Sequence, residues 1–207
     1  MNYNLNLDEL QLDTLKEICS MGAGYAITAI SRMVKRKISM SVPHISIVPT
    51  EKLITTISTP QELVVGVYSK ILGELSGGML ITFPRNSAFS LVDILLNRTV
   101  GETKILEELE KSVLQETGNI VINSFVNVLS KMVDRKLFVS VPKIAFDMAG
   151  AIIDFLLIEL SKNVEQTIVM EIIFHDIPET ISGKFFILPD YGLLEILLSA
   201  IAKKSNS

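Results

Sequence analysis

Residues 35–45, KRKISMSVPHI, align with residues 134–144, DRKLFVSVPKI, at a constant offset of 99, with six of eleven positions identical. The same offset carries Leu15 onto Leu114, Glu17 onto Glu116, Ser31 onto Ser130 and Pro43 onto Pro142. A register held without a gap from Leu15 to Ile45 means two copies of one unit. Whatever element one copy forms, the other should form too.

Each copy reads in the same order. A long amphipathic helix comes first, about Leu7 to Val34 and about Leu106 to Val133. A β-rich stretch follows, ISMSVPHISIV and LFVSVPKIAFDM, then a helical connector, short as TEKLITTI and long as AGAIIDFLLIELSK. Two strands then read as a hairpin, ELVVGVYSKI with GGMLITFP and QTIVMEIIFHD with GKFFILP, from β-branched runs bounded by Pro, Gly and Ser. An apolar helix closes each copy, SAFSLVDILLN and YGLLEILLSAIAK, and RTVGETKILEE joins them. Six strands in β-β runs, with about six helices, predict an α+β fold. The two pseudo-symmetric repeats, about 7–98 and 106–204, should share one mostly antiparallel sheet flanked by the long helices. A single domain over 1–207 is expected, with one core.

Composition narrows the function. Lys and Arg number 19 against 23 acidic residues, for a net charge of −4, and no long basic run occurs, which argues against nucleic acid as a partner. The apolar fraction is 48%, yet Asp154, Glu159 and Glu195 interrupt the longest apolar stretches, so no spanning helix is expected. The N-terminus lacks a basic region before an apolar core, so we read no signal peptide and expect a cytoplasmic protein. Cys19 is the only cysteine, in keeping with a reducing compartment. With no histidine near it in sequence, it reads as a small buried filler.

On the second long helix Ser112, Glu116, Asn119, Asn123, Asn127, Ser130 and Asp134 recur at steps of three and four, a stripe of helical period. The first helix carries the same stripe as Asp13, Glu17, Ser20, Gly24, Thr28, Ser31 and Lys35. A solvated face is the ordinary meaning of such a stripe. This one, however, nearly lacks the lysines and Glu-to-Lys pairs that decorate solvated helices. Small side chains, and none at Gly118, suggest a face that another protein approaches closely. Glu116 and Asn119 are three residues apart and so share a face. A carboxamide does not titrate but donates and accepts at once, which suits holding a water for in-line attack on phosphorus. Close packing against a strand is the alternative reading of Gly118. Gly22 and Gly24 interrupt a helix instead of following a strand, so they are no dinucleotide fingerprint. His44 and His175 stand apart, without metal-ligand spacing.

Ser112, Glu116, Asn119 and, after 22 intervening residues, Pro142, with Asp13, Glu17, Ser20 and Pro43 in parallel, resemble the motif of the CheC/CheX/FliY phosphatases of chemotaxis. The resemblance spans nearly the whole chain. It implies a phosphatase that hydrolyses the aspartyl phosphate of a CheY-type response regulator. Glu116 would pair with the lysine beside the phosphorylated aspartate and Asn119 would orient the water. Mg²⁺ would be carried by the regulator, leaving no metal site or cofactor of the chain's own. The first repeat departs from the motif at Ser20, which is shorter and lacks the amide. Its site, Glu17 and Ser20, is expected to be weak, and the second repeat to carry the activity.

The resemblance also implies an alternative, an adaptor that binds and regulates the receptor deamidase CheD. Asp147 is then the candidate contact, set against a role as a helix N-cap. Members of the FliY type carry an extra C-terminal domain and usually an N-terminal regulator-binding peptide, and those of the CheX type are shorter. Length and the double repeat therefore favour the CheC type.

Overall fold

The computed structural model describes residues 8–57, 59–160, 164–175 and 180–205. Residue 7, the end of the second connector at 161–162 and the end of the third hairpin strand at 176 lie outside them.

Both long helices form where the stripe places them. Helix α1 (Glu9–Val34) opens on a capping box: Gln11 N donates to Asp8 Oδ1 at 2.8 Å and Asp8 N to Gln11 Oε1 at 3.1 Å. Helix α4 (Glu108–Val133) opens after Glu107, whose N–H donates to Glu110 Oε2 at 3.1 Å. Each ends on a left-handed residue, Lys35 (φ 52°) and Asp134 (φ 50°). Ser31 and Ser130, equivalent at the offset of 99, latch the turns that follow: Ser31 Oγ accepts from Ile38 N at 3.2 Å and Ser130 Oγ from Leu137 N at 3.4 Å. These two members of the stripe serve the fold.

Each β-rich stretch is two short strands, giving eight strands where the sequence pattern suggested six. β1 (Ser39–Ser41) and β2 (Ile45–Pro49) flank Pro43, and β5 (Leu137–Val139) and β6 (Lys143–Met148) flank Pro142. Proline offers no N–H to a ladder, so the strand breaks there and resumes. A 3-10 turn at Thr50–Lys52 leads into α2 (Leu53–Ile57), followed by the hairpin β3 (Leu63–Gly73) and β4 (Gly77–Pro84) and by α3 (Arg85–Leu95). The second half continues through α5 (Ala149–Glu159), β7 (Gln166–His175), β8 (Ile181–Pro189) and α6 (Tyr191–Ser205).

All eight strands make one antiparallel sheet, in the order β1-β7-β8-β4-β3-β5, with β2 also on β7 and β6 also on β3. The halves therefore trade edges: the first half's broken strand pairs with the second half's hairpin, and the reverse. β4 and β8 meet at the centre, from Gly77↔Pro189 to Thr82↔Lys184. Alternation along these strands builds two cores, one on each face of the sheet, where the sequence pattern suggested one. Val65, Val67, Met79, Ile81, Phe185 and Ile187 face a large core shared with α1, α3, α4 and α6. Val64, Tyr68, Leu80, Phe186 and Leu188 face a smaller one closed by α5 and Leu53. A sheet covered on both faces accounts for the high apolar content without a membrane, and no helix of the described residues is long and apolar enough to cross one.

The joint between the halves is pinned, not loose. The buried Asp93 carboxylate accepts from Gly101 N at 2.7 Å, Glu102 N at 3.1 Å and Thr103 N at 2.9 Å. Arg98 Nη1 reaches Glu110 Oε1 at 2.8 Å and, chiefly through that hydrogen bond, holds the Glu110 carboxyl below its usual range. These bonds fix where α4 begins.

Gly118 corrects the reading of an open, low surface. It is buried, and a Cβ there would lie 2.6 Å from Val67 Cγ1 and 2.7 Å from Val67 Cβ. The glycine lets α4 sit on β3. Gly22 does the equivalent between helices, where a Cβ would come within 2.8 Å of the Phe125 ring. Gly118→Ala would gain about 1 kcal/mol of helix propensity but insert a methyl into a closed contact, at a typical cost of 1–3 kcal/mol. We expect a net loss of roughly 0–2 kcal/mol in urea unfolding. In a Val67→Gly background, which removes the Val67 Cβ as well as its methyls, the same substitution should cost less.

Candidate functional site

Helix α4 turns Thr117, Gly118, Val121, Ile122 and Phe125 into the core. Helical geometry then sends Glu116, Asn119, Asn123 and Asn127 the other way. Glu116 and Asn127 are exposed, whereas Asn119 and Asn123 are half-buried. Glu116 and Asn119, paired on sequence spacing, stand together: Asn119 Nδ2 lies 3.5 Å from Glu116 Oε2. Ser112 is exposed one turn before them. Glu116 has no ion pair among the described residues, so its carboxylate is free to meet an incoming cation.

Two further residues join this face. Asn123 Nδ2 donates to Asn119 Oδ1 at 2.8 Å and to Asn119 O at 2.9 Å. Asn123 was visible in the stripe, but nothing in its spacing distinguished a partner of Asn119 from a solvated neighbour. Gln115 Nε2 donates to Pro142 O at 2.7 Å, tying the helix beside Glu116 to the bend between β5 and β6. The motif's proline thus abuts the motif's helix. That contact joins residues 27 apart in sequence and left no local signal.

The first repeat presents the matching face on α1 in a different state. Glu17, Ser20 and Gly24 are exposed, as are Asp13 and Pro43. Glu17 Oε2, however, is paired with Lys204 Nζ of α6 at 3.1 Å, and Asp13 Oδ1 with Lys16 Nζ at 3.0 Å. Lys16 stands where Gln115 stands in the second repeat. Ser20 offers no amide, and Gly24 offers no side chain where Asn123 supplies a donor.

Other candidates fall out differently. Cys19 is 1% exposed, and burial pushes its thiol up to about 12, so it is a filler and not a thiolate at neutral pH. His175 Nε2 lies 2.7 Å from Ser41 Oγ, and His44 is exposed. Asp147 does not cap a helix. Met148 holds the N-cap position of α5, while Asp147 is an exposed residue of β6 paired with Val64.

The pattern of the CheC-like family matches residues 10–47. A Bacillus subtilis relative named CheY-P phosphatase CheC is 30% identical over 199 residues, which cover 94% of this chain and 95% of that protein. The B. subtilis flagellar motor switch phosphatase FliY is 23% identical over 140 residues, 67% of this chain but 36% of FliY. Among solved structures, Thermotoga maritima FliY superposes with a TM-score of 0.78 at 19% identity, covering 97% of this chain and 100% of that one. A chain of the CheX-CheY-BeF3-Mg+2 complex from Borrelia burgdorferi gives 0.50 at 16% identity, over 82% and 96%. These structural likenesses speak to the fold. With 30% identity along nearly the full length of a CheC, the chain belongs to the CheC-like family.

Replacing Gln115 by leucine should remove the tie to Pro142. The expected result is a loss of about 1 kcal/mol, the usual worth of one such hydrogen bond, together with faster hydrogen exchange of the β5 and β6 amides and an unchanged helix content.

Proposed function

We propose that the chain is a phosphatase for the aspartyl phosphate of a CheY-type response regulator, working through the exposed face of α4. One observation carries the reading: Glu116 and Asn119 project side by side from α4, the acid without an ion pair among the described residues, in a chain whose relative over 94% of its length is named a CheY-P phosphatase. The fold it shares with a chain of a CheX-CheY complex supports the same partner.

The chemistry asks little of the protein beyond placement. Water attacks phosphorus, the P–O bond to the aspartyl carboxylate breaks, and inorganic phosphate leaves with both water protons. Carboxylate is a good leaving group, so no titrating base is required, and positioning with charge stabilisation dominates. Asn119 holds the water in line. Glu116 docks on the lysine beside the phosphoaspartate, a charge-assisted contact that orients the regulator. The Mg²⁺ that neutralises the phosphoryl oxygens belongs to the regulator in this scheme. The reaction is assigned to the cytoplasm, consistent with an unpaired, buried Cys19.

Regulation by a CheD-type deamidase is a second reading, favoured by the surface around Asp147. Edge strand β6 exposes Phe146 and Met148 on the face opposite Asp147, and α5, on the Asp147 face, exposes Phe155 and Ile158, the last at 78%. Large apolar side chains exposed about a sheet edge mark a protein contact.

Decay of a phosphorylated CheY-type regulator tests the first reading. Asn119→Ala should lower kcat by roughly a hundredfold with its thermal transition unmoved, whereas Glu116→Ala should chiefly raise KM, by roughly tenfold or more. Full activity in Asn119→Ala would place the site elsewhere. For the second reading, Asp147→Lys should abolish co-purification with CheD and leave phosphatase activity intact. An undiminished complex would remove Asp147 from that interface.

A further inference from the structure

The hydrogen bonds along α4 form a chain with a direction. A carboxylate only accepts, so Glu116 obliges Asn119 to turn its NH₂ toward it. Asn119 Oδ1 then faces the C-terminal end of the helix, where Asn123 meets it with Nδ2 at 2.8 Å. Asn123 is itself held, because the same nitrogen bonds Asn119 O at 2.9 Å. The outcome is one of two possible amide orientations.

We infer that Asn123 is a positioning residue for the phosphatase reaction: it locks the carboxamide of Asn119 so that a lone pair of Oδ1, and not an N–H, is presented to the attacking water. The inference rests on the phosphatase reading above. Its chemical content lies in which water orbital is left for phosphorus. Oδ1 has two lone pairs, and Asn123 uses one. The other accepts a proton of the water and leaves the water's own lone pair free to attack. A flipped amide would donate to that lone pair and hold the water in an unreactive pose.

The first repeat lacks both parts of this device. Ser20 replaces the amide and Gly24 replaces the lock. A Cβ at Gly24 would meet nothing within 4 Å, so an asparagine fits there without repacking. Restoring the amide together with its lock therefore needs two changes, not one.

Decay of the phosphorylated regulator should be followed for wild type, Asn119→Ala, Asn123→Ala and Asn123→Asp. Aspartate keeps the shape of asparagine but has no proton to give Oδ1. Both Asn123 variants should lose roughly five- to tenfold in kcat, the value of one hydrogen bond, with KM unchanged and the chain fully folded at the assay temperature. In an Asn119→Ala background, Ser20→Asn with Gly24→Asn should regain more activity than Ser20→Asn alone. If Asn119→Ala is inactive while Asn123→Ala and Asn123→Asp keep wild-type kcat, Asn123 positions nothing and the inference is wrong. If Asn119→Ala is fully active, the phosphatase site itself is misassigned.

Discussion

Gly118 rests on Val67 with no room for a methyl between them, and that contact decides which side of the second long helix faces water. A helix repeats every 3.6 residues, so once Thr117, Gly118, Val121 and Phe125 are inward, the direction of every other side chain follows. Phe125 continues the same constraint by filling the space over Gly22 on the neighbouring long helix. The acid and the amides are thus aimed by the core beneath them. A glycine in mid-helix, costly in propensity, is retained because the sheet would otherwise be held away.

The scaffold treats its two long helices alike, yet their outer faces have diverged. Both helices are capped, both end on left-handed residues, and both are latched by an equivalent serine. The differences lie in a few exposed side chains that cost the fold little to change. Lys204 occupies the carboxylate of Glu17, whereas Glu116 is left open. An asparagine ladder stands on one helix and a serine and a glycine on the other. Because the halves share one sheet through exchanged edge strands, the first half remains necessary to the fold of the second.

Much of this was legible in the sequence because it is periodic or repeated. The α+β class, the hairpins, the helix faces and the pairing of Glu116 with Asn119 follow from spacings of two, three and four and from the offset of 99. What was not legible depends on contacts far apart in sequence. The exchange of edge strands, the break at Pro43 and Pro142, and the tie from Gln115 to Pro142 O leave no periodic trace. Gly118 admits both an open surface and close packing on a strand, because a glycine's sequence context does not reveal which neighbour crowds it; Val67 decides for packing. Asp147 shows the same limit: an aspartate before a helical run reads as a cap, and only the observed start of α5 at Ala149 gives that position to Met148.

Entry of the α4 face into the phosphorylated pocket of a response regulator can be watched by NMR, titrating the labelled chain with a beryllofluoride-activated, Mg²⁺-loaded CheY-type regulator. Perturbed amides should cluster at residues 112–127, with the equivalent turns of α1 far less affected. Perturbations confined to β6 and α5, with α4 unmoved, would contradict that mode of entry.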